Sequence, residues 1–281
     1  MLNAMISVVT PSYNMLSYLK CCHASVVDQS PEGVEHIVVD GLSKDGTVEW
    51  LNSREDIKSI VEADEGMYDA VNKGLQCAQG DIVAYLNCDE QYLHGTLPCV
   101  QEYFSMHPEV DILFGDMLVV NPDLSLAAFR KGIRPSWIYF VASSLYLYTC
   151  TMFFRRKIID DGFLFNPDLR MAGDIDFVVR VLRAGYKARH LRRYQSAFLL
   201  TGHNLSSGSE GLREALRHFR GWSFGFIRLV RLPINVARVA EKLFNGSYTQ
   251  AWPLEYDLYT SDDLTKRRSF SAKSVTWRLK Y

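Results

Sequence analysis

The sequence predicts an α/β protein built on a mostly parallel central sheet that is flanked by helices. Five short runs rich in Val and Ile lack strict apolar–polar alternation, which is typical of parallel strands buried on both faces. Amphipathic stretches separate these runs. Regular alternation of strand and helix favours a parallel α/β domain with right-handed crossovers.

The predicted strands share a β-branched core and lie within the first 120 residues. They are Ile6–Thr10, His36–Asp40, Ile57–Glu62, Ile82–Leu86 and Asp111–Phe114. The predicted helices between them place apolar residues at helical spacing. They are Leu16–Val27, Thr47–Asn52, Tyr68–Ala78 and Leu97–Met106.

The pattern is less regular after residue 120. The aromatic stretch Phe140–Phe154 predicts a strand that ends at Thr151–Phe154. An apolar face predicts a helix over Asp174–Ala184, and Gly185 stands where a C-terminal cap is expected. The run Ala197–Leu200 predicts a last strand of the domain.

The final part of the chain is predicted to be a helical extension. Residues 212–231 are expected to be helical, Pro233 is expected to interrupt, and a further helix is expected over Asn235–Phe244. The last 35 residues carry only weak signals. We therefore divide the chain into a domain over residues 1–210 and a basic helical extension over residues 211–281.

Composition and charge limit the function classes. The chain has 281 residues, 48% of them hydrophobic and 22% charged, which excludes disorder over most of its length. The net charge of −1 gives no reason to expect nucleic-acid binding. Residues 211–281 hold 13 basic and 6 acidic residues, a net of +7, whereas the other 210 residues carry −8. The basic extension indicates a peripheral membrane contact, a partner subunit or simply a solvated helical face.

The six cysteines show no metal-binding spacing, and most lie in apolar stretches. We expect reduced thiols in a cytoplasmic protein, which acts either in the cytoplasm or at the inner face of the plasma membrane. The N-terminus has no pattern of a secretory signal, and no run reaches about 18 uncharged apolar residues, so no spanning helix is expected.

Acidic side chains follow three of the first four predicted strands. The strand ends read Pro11–Tyr13, Asp40–Gly41, Ala63–Asp64 and Asn87–Glu90. Ligands of parallel α/β sheets collect at the carboxyl ends of the strands. Because a purely structural protein has no need for carboxylates there, the pattern predicts a site for a polar ligand or a metal.

Five stretches in a fixed order carry a resemblance to a known family. They are Ile6–Asn14, Val38–Thr47, Asp64–Asp81, Leu86–Glu90 and Ala172–Phe177. Together they resemble the family-2 glycosyltransferases of the GT-A (nucleotide-diphospho-sugar transferase) fold, and are most similar to those of bacterial polysaccharide biosynthesis. The resemblance implies an inverting glycosyltransferase. Such an enzyme moves a sugar from a UDP-, GDP- or dTDP-sugar to a hydroxyl of a glycan or lipid-linked glycan.

The stretch Leu86–Glu90 stands where the family has its metal-binding DxD-type motif. The resemblance implies that Asp89 binds Mn²⁺ or Mg²⁺ and that Glu90 holds the donor sugar or a water. Asn87 replaces the first acid of the motif, which leaves the need for a metal open. Alternatively, Asp89 and Glu90 cap the next helix.

Other residues of these stretches are candidates for binding the donor nucleotide. Pro11 and Tyr13 are expected to contact the base, Asp40 to accept a hydrogen bond from it, and Asp64 to bind the ribose or base. Lys73 is expected near the diphosphate. The alternatives are an Asx turn for Asp40, a helix cap for Asp64 and an ordinary exposed helix lysine for Lys73. Asp45 is assigned to turn structure.

Asp174 is the expected base that deprotonates the acceptor hydroxyl. Asp176 is its competitor, and a helix N-cap is the alternative role for Asp174. His203 lies in the loop after the last predicted strand, where it is either a contact to the metal or diphosphate, or a solvated side chain.

Two other functions are compared with the sequence as alternatives to transfer. Asn87 in the metal motif is compatible with a nucleotide-sugar-binding module without transfer activity. A nucleotidyltransferase needs a Gly-rich, basic phosphate loop after the first strand, and Pro11–Asn14 does not supply one.

Overall fold

Strands and helices alternate through the first half of the chain, as predicted. The computed structural model describes residues 4–29, 33–142, 147–202, 213–214, 217–218 and 225–275, with only the backbone over residues 225–230. The strands are β1 Ile6–Ser12, β2 Val34–Asp40, β3 Lys58–Val61, β4 Ile82–Tyr85, β5 Glu90–Tyr92, β6 Ile112–Val120, β7 Leu126–Arg130, β8 Phe153–Arg155, β9 Ala188–Leu199, β10 Leu254–Thr260 and β11 Asp263–Ala272. The helices are α1 Leu16–Val27, α2 Thr47–Asn52, α3 Met67–Cys77, α4 Thr96–Met106, α5 Trp137–Ala142, α6 Lys157–Asp160, α7 Gly173–Arg183 and α8 Gly225–Phe244, with a 3₁₀ turn over Thr149–Thr151.

The central sheet has the strand order β3-β2-β1-β4-β8-β6-β9-β5, and β7 pairs with β6 outside this path. The first four strands in this order are parallel, and antiparallel pairs enter from β8 onward, although β6 and β9 are again parallel. Ser12 pairs with Asp40, and Asp40 pairs with Val61. The carboxyl ends of β1, β2 and β3 therefore meet at one edge, where we expected a site.

Two apolar clusters cover the two faces of this sheet. One joins α3, α5 and α7 to residues such as Val9 and Phe154, and the other joins α1 and α4 to residues such as Val8 and Phe153. Alternating residues of one strand thus reach opposite layers. The predicted α/β sheet flanked by helices is confirmed.

The region after residue 120 departs from the predicted boundaries. The expected strand end at Thr151–Phe154 is a 3₁₀ turn followed by β8, and the last strand begins nine residues before Ala197. Charged side chains in the first half of β9, including exposed Arg192 and Arg193, hide that part of the strand from a hydrophobic pattern.

Pro233 does not interrupt the helix, and this prediction was wrong. It lies inside α8, which continues to Phe244. A proline removes one helical hydrogen bond, but contacts with the body of the protein hold the helix on both sides. Arg231 and Asn235 donate to the Ala142 carbonyl, and Ile234 packs against an apolar cluster.

The extension is also not helical throughout, because β10 and β11 form an antiparallel pair near its end. The apolar residues Tyr256 and Leu258 of β10 are buried against Leu126 and Leu199 of the central sheet. This segment gives only a weak hydrophobic signal in the sequence because β11, Asp263–Ala272, is mostly polar and exposed. No described helix is long and apolar enough to cross a membrane, and no disulfide joins the six cysteines.

A buried histidine pair links β1 to α1 and β2. Nδ1 of His36 lies 2.9 Å from Nδ1 of His23, and Nε2 of His36 lies 2.8 Å from the Thr10 hydroxyl. Nε2 of His23 lies 3.1 Å from Asp56. Two Nδ1 atoms at hydrogen-bond distance share one hydrogen, so both rings cannot be protonated together. Burial, reinforced by His23, lowers the pKa of His36 to about 3, and burial also lowers the pKa of His23.

We predict that acid weakens the fold through this pair. Because both pKa values lie below the ordinary histidine value, the unfolded state binds more protons as the pH falls below about 6.5. Each histidine then removes up to about 1.4 kcal/mol of unfolding free energy per pH unit. Urea unfolding at pH 7, 6 and 5 should show a shallower decline for His36→Gln than for the wild type. The surface variant His107→Gln is the control, and equal slopes for His36→Gln and the wild type would contradict the prediction.

Candidate functional site

Hydrogen bonds lock together the loops that follow β1 and β2. The buried carboxylate of Asp40 accepts from the Ser43 N–H at 2.8 Å and from the Ser43 hydroxyl at 2.6 Å. The Asn14 backbone N–H donates to the same hydroxyl at 2.7 Å, and the side-chain amide oxygen of Asn14 accepts from the Lys44 N–H. Asp40 thus stabilises the turn after β2 through Ser43, three residues on, and its contact with the base stays a prediction. Its oxygens retain lone pairs for a further hydrogen bond.

Asp64 and Tyr13 come together at Gly41, at this edge of the sheet. A Cβ at Gly41 would lie 2.5 Å from Asp64 Oδ2 and 3.4 Å from Tyr13 Cδ2, so the missing side chain lets these groups approach. Tyr13 is 62% exposed, which leaves its ring available for stacking on a base. Pro11 is buried in the strand beneath them. The Ser12 hydroxyl is buried and has no hydrogen-bond partner among the described residues, so a polar ligand at this edge would satisfy it.

Asp45 and Lys73 have structural roles. Asp45 accepts from the Leu16 N–H, where α1 begins, and from Thr47, where α2 begins, as predicted. The Lys73 ammonium contacts the Ala63 carbonyl at 2.6 Å, Glu62 at 3.0 Å and Asp69 at 3.1 Å. These three partners hold the largely covered Lys73 side chain between β3 and α3, and its contact with the diphosphate stays a prediction.

The stretch after β4 places two carboxylates side by side. Asp89 is half-buried and Glu90 is 2% exposed, where it accepts from the Asn87 N–H at 2.8 Å. Burial and then the charge of Asp89 raise the pKa of Glu90 to about 8, with a smaller contribution from Asp174. The structure therefore brings Asp89, Glu90 and Asp174 close enough to interact electrostatically. Glu90 opens β5 rather than a helix, so it is not a helix cap.

Asp174 lies in the first turn of α7, against α3. Its backbone N–H donates to the Tyr68 hydroxyl at 3.2 Å, and its carboxylate accepts from the Ile175 N–H at 2.8 Å. A Cβ at Gly173 would lie 2.5 Å from the Tyr68 ring, so only glycine permits this approach. Burial raises the pKa of Asp174 to about 6, although the hydrogen bonds from Ile175 and Tyr68 oppose the shift.

Asp176, the competing base, is occupied by two cationic or hydrogen-bonding partners. One oxygen accepts from Arg180 Nε at 2.7 Å and the other lies 2.7 Å from His218 Nε2. Arg180 also donates to the Leu164 carbonyl. This arrangement fits a residue that ties α7 to its surroundings, whereas the Asp174 carboxylate forms no ion pair with a cation among the residues that the structure describes.

Sequence reasoning missed the residues that hold Asp174 in place. Glu214 accepts hydrogen bonds from the backbone N–H groups of Arg170, Met171 and Ala172, at 3.0, 2.7 and 2.8 Å. Asn72 exchanges two hydrogen bonds with the Phe165 backbone, at 2.8 and 2.9 Å. Both contacts join residues more than 40 positions apart, so no local pattern announces them.

The residues present are suited to a divalent cation that also takes oxygens from a donor diphosphate. Asp89 supplies one accessible carboxylate beside the buried Glu90, a donor set of oxygens that Mg²⁺ and Mn²⁺ accept. The described residues contain no group of three or more His, Cys, Asp or Glu side chains that would hold a metal unaided. His203 lies outside the described residues, so its predicted contact stays a prediction.

Known proteins place this arrangement in a family. The profile described as glycosyl transferase family 2 matches residues 7–204. The putative teichuronic acid biosynthesis glycosyltransferase TuaG of Bacillus subtilis is 28% identical over 209 residues, 72% of this chain and 82% of that protein. A PGL/p-HBAD biosynthesis glycosyltransferase of Mycobacterium bovis is 26% identical over 190 residues, 63% of this chain and 69% of its own length.

Solved structures share the fold at low sequence identity. Staphylococcus aureus TarS 1–349 in complex with UDP-GlcNAc aligns with a TM-score of 0.62 and 16% identity, over 96% of this chain and 99% of that one. The longer TarS chain aligns with a TM-score of 0.61 and 17% identity, and this chain spans 60% of its length. The ordered strand-end acids, the GT-A fold and the match over residues 7–204 agree: this chain belongs to glycosyl transferase family 2 and is a glycosyltransferase.

Proposed function

We propose that this glycosyltransferase inverts the anomeric carbon of a nucleotide-diphospho-sugar in a single displacement by an acceptor hydroxyl. The observation that carries the proposal is Asp174, a buried carboxylate that shares an electrostatic cluster with Asp89 and Glu90. With a pKa of about 6, Asp174 is ionised at neutral pH and is a stronger base than an ordinary aspartate.

The donor is proposed to bind at the edge formed by β1, β2 and β3. Tyr13 stacks on the base, Asp40 accepts from it, and Asp64 binds the ribose or base. TarS, whose structure was solved with UDP-GlcNAc, supports a UDP-sugar over the GDP- and dTDP-sugars. The Ser12 hydroxyl is a further candidate for a hydrogen bond to the nucleotide.

A divalent cation, Mn²⁺ or Mg²⁺, would be held by Asp89, which belongs to the Asn87–Glu90 turn. When bound, such a cation stabilises the negative charge that the departing diphosphate gains. Asp174 receives the proton of the acceptor hydroxyl as that oxygen attacks. The Tyr68 hydroxyl and the Ile175 N–H keep the Asp174 carboxylate oriented during this step.

The acceptor is proposed to be a hydroxyl of a glycan or a lipid-linked glycan. The names of the relatives, which concern teichuronic acid and PGL/p-HBAD biosynthesis, support this class. A module that binds a nucleotide sugar without transferring it is the competing proposal, because Asn87 replaces an acid of the motif. Tight donor binding without turnover on glycan and lipid-linked acceptors would favour that module.

We predict that Asp174→Asn abolishes transfer while Asp176→Asn does not. Loss of the base should lower kcat by about 10²–10⁴-fold, with little change in donor Kd. Asp176→Asn should unfold more easily, because Arg180 and His218 lose a charged partner, yet its folded fraction should keep kcat within about tenfold of the wild type. Release of UDP from a UDP-sugar, measured with and without acceptor, tests both variants. Full activity of Asp174→Asn would remove this residue from the base role.

The Asp174→Asn variant should also be more stable than the wild type. The folded pKa of Asp174 lies above its unfolded value of about 3.9, so its contribution to stability is lost as the pH rises through about 6. Asp174→Asn should therefore raise the free energy of unfolding by about 3 kcal/mol at pH 8 and by only about 0.5 kcal/mol at pH 4. Denaturant unfolding at the two pH values measures the difference. A variant that is less stable at pH 8 would show that the carboxylate stabilises the fold.

We predict that Asp89→Asn uncouples metal and nucleotide binding. Titration calorimetry of UDP with 5 mM Mn²⁺ should give a Kd at least about tenfold weaker than for the wild type, a difference near 1.4 kcal/mol. Without metal the two proteins should bind UDP alike. Glu55→Gln, which neutralises an exposed carboxylate elsewhere, is the control. If Mn²⁺ strengthens UDP binding equally in all three proteins, Asp89 does not hold the metal.

A further inference from the structure

Helix α8 turns its polar side toward the body of the protein. Arg231 Nε donates to the Ala142 carbonyl at 2.8 Å, and Asn235 Nδ2 donates to the same oxygen at 3.3 Å. Glu241 accepts from the Tyr139 hydroxyl at 3.0 Å. Burial, followed by nearby Arg238, lowers the pKa of Lys242 to about 8. Arg231 and Asn235 thus satisfy the backbone carbonyl of the last residue of α5. All of these polar groups lie on the inward face of α8.

The outward side of α8 is apolar. Leu232, Val236, Val239 and Leu243 follow one another at spacings of four, three and four residues, which places them on one face of the helix. Leu232 is 76% exposed and Leu243 62%, and the adjoining Phe244 is 92% exposed. We call these five residues the apolar stripe. A helix on a globular domain normally buries such a face, so this orientation is the reverse of the usual one.

Three cationic side chains lie near the C-terminal end of α8. Lys131 Nζ donates to the Thr249 carbonyl just beyond the helix, and the 71% exposed side chain of Arg134 lies 3.7 Å from Glu241. Arg192 contacts Asn245. We call Lys131, Arg134 and Arg192 the basic rim. An apolar stripe beside a basic rim matches the layered chemistry of an anionic bilayer, with acyl chains beneath negatively charged headgroups.

We propose that α8 docks on an anionic lipid surface, with the apolar stripe at the acyl boundary and the basic rim at the headgroups. Residues 211–281, which include α8, carry a net charge of +7 against −8 elsewhere, and this balance favours contact of the extension with an anionic surface. A second copy of the chain fits the stripe less well. Two-fold pairing of the stripes would bring the basic rims of both copies close together, and like charges oppose that contact.

The docking surface is connected to the candidate base through two helices. Helix α5 packs against both α8 and α7, and Arg183 of α7 lies 5.6 Å from the centre of the Trp137 ring of α5. Docking of α8 therefore fixes α7, which carries Asp174, at a set distance from the lipid surface. In this part the proposal rests on the proposed function: the docked enzyme takes its acceptor hydroxyl from a molecule anchored in that surface.

The full chain is tested by flotation with vesicles of phosphatidylcholine alone and with 30 mol% phosphatidylglycerol, without any sugar nucleotide. The wild type should float with the anionic vesicles, much less with the neutral ones, and less as salt is raised. Leu243→Asp, alone and with Val236→Asp, should reduce the bound fraction at least tenfold. Met106→Asp is the matched control, since Met106 is an equally exposed apolar residue (61%) on α4, and it should bind like the wild type.

The outcomes separate this proposal from the proposed function. UDP binding measured on the same variants should stay unchanged, so loss of flotation with intact UDP binding concerns the stripe alone. Absence of flotation for the wild type, or equal flotation of Leu243→Asp and Met106→Asp, overturns the proposal. Sedimentation velocity of the wild type and Leu243→Asp provides a second reading. A dimer that Leu243→Asp dissociates, together with no flotation, would assign the stripe to a second copy and overturn lipid docking.

Discussion

The contact between Tyr68 and the first residues of α7 is the constraint on which the candidate site depends. Tyr68 belongs to α3, which packs against the parallel strands β1 and β2. Gly173 and Asp174 begin α7, in the second half of the chain. The Tyr68 ring lies so close to Gly173 that a Cβ would be 2.5 Å away, and its hydroxyl accepts from the Asp174 N–H. Any rearrangement of α7 therefore moves Asp174 relative to the strand ends.

Aromatic stacking makes this contact rigid. The Phe165 ring lies between Tyr68 and Phe177, with centroid distances of 5.6 and 4.3 Å and nearly parallel planes. Asn72 fixes the Phe165 backbone from α3, and Phe177 is a buried residue of α7. Rings held in this way have few alternative packings, so the contact between α3 and α7 keeps one geometry. This rigid packing holds the Asp174 carboxylate in place near Glu90, whose pKa the charge of Asp174 helps to raise.

The sequence allowed the parallel half to be predicted because its signals are local. The strand β2 ends in Asp40 after a buried Val run, and α1 and α2 were predicted with their observed bounds. The roles of the carboxylates were harder, because partners distant in sequence decide them. Asp176 is distinguished from Asp174 by His218, 42 residues away, although Arg180 at the i+4 position was a signal that could have been used. Pro233 was misjudged because contacts with Ala142 outweigh the local cost of a proline.

The parts of the chain before and after residue 204 differ in how closely they follow the family. The match to glycosyl transferase family 2 ends at residue 204, whereas α8 and the β10–β11 pair lie beyond it. Asp174 belongs to the matched part. Glu214, which accepts hydrogen bonds from the Met171 and Ala172 N–H groups just before Asp174, belongs to the unmatched part. The extension therefore has two physical tasks: it anchors the loop before the candidate base, and it presents the outward face of α8. In terms of the proposed function, change in the extension alters access of the proposed acceptor to the candidate base, while the strand ends proposed to bind the donor stay the same.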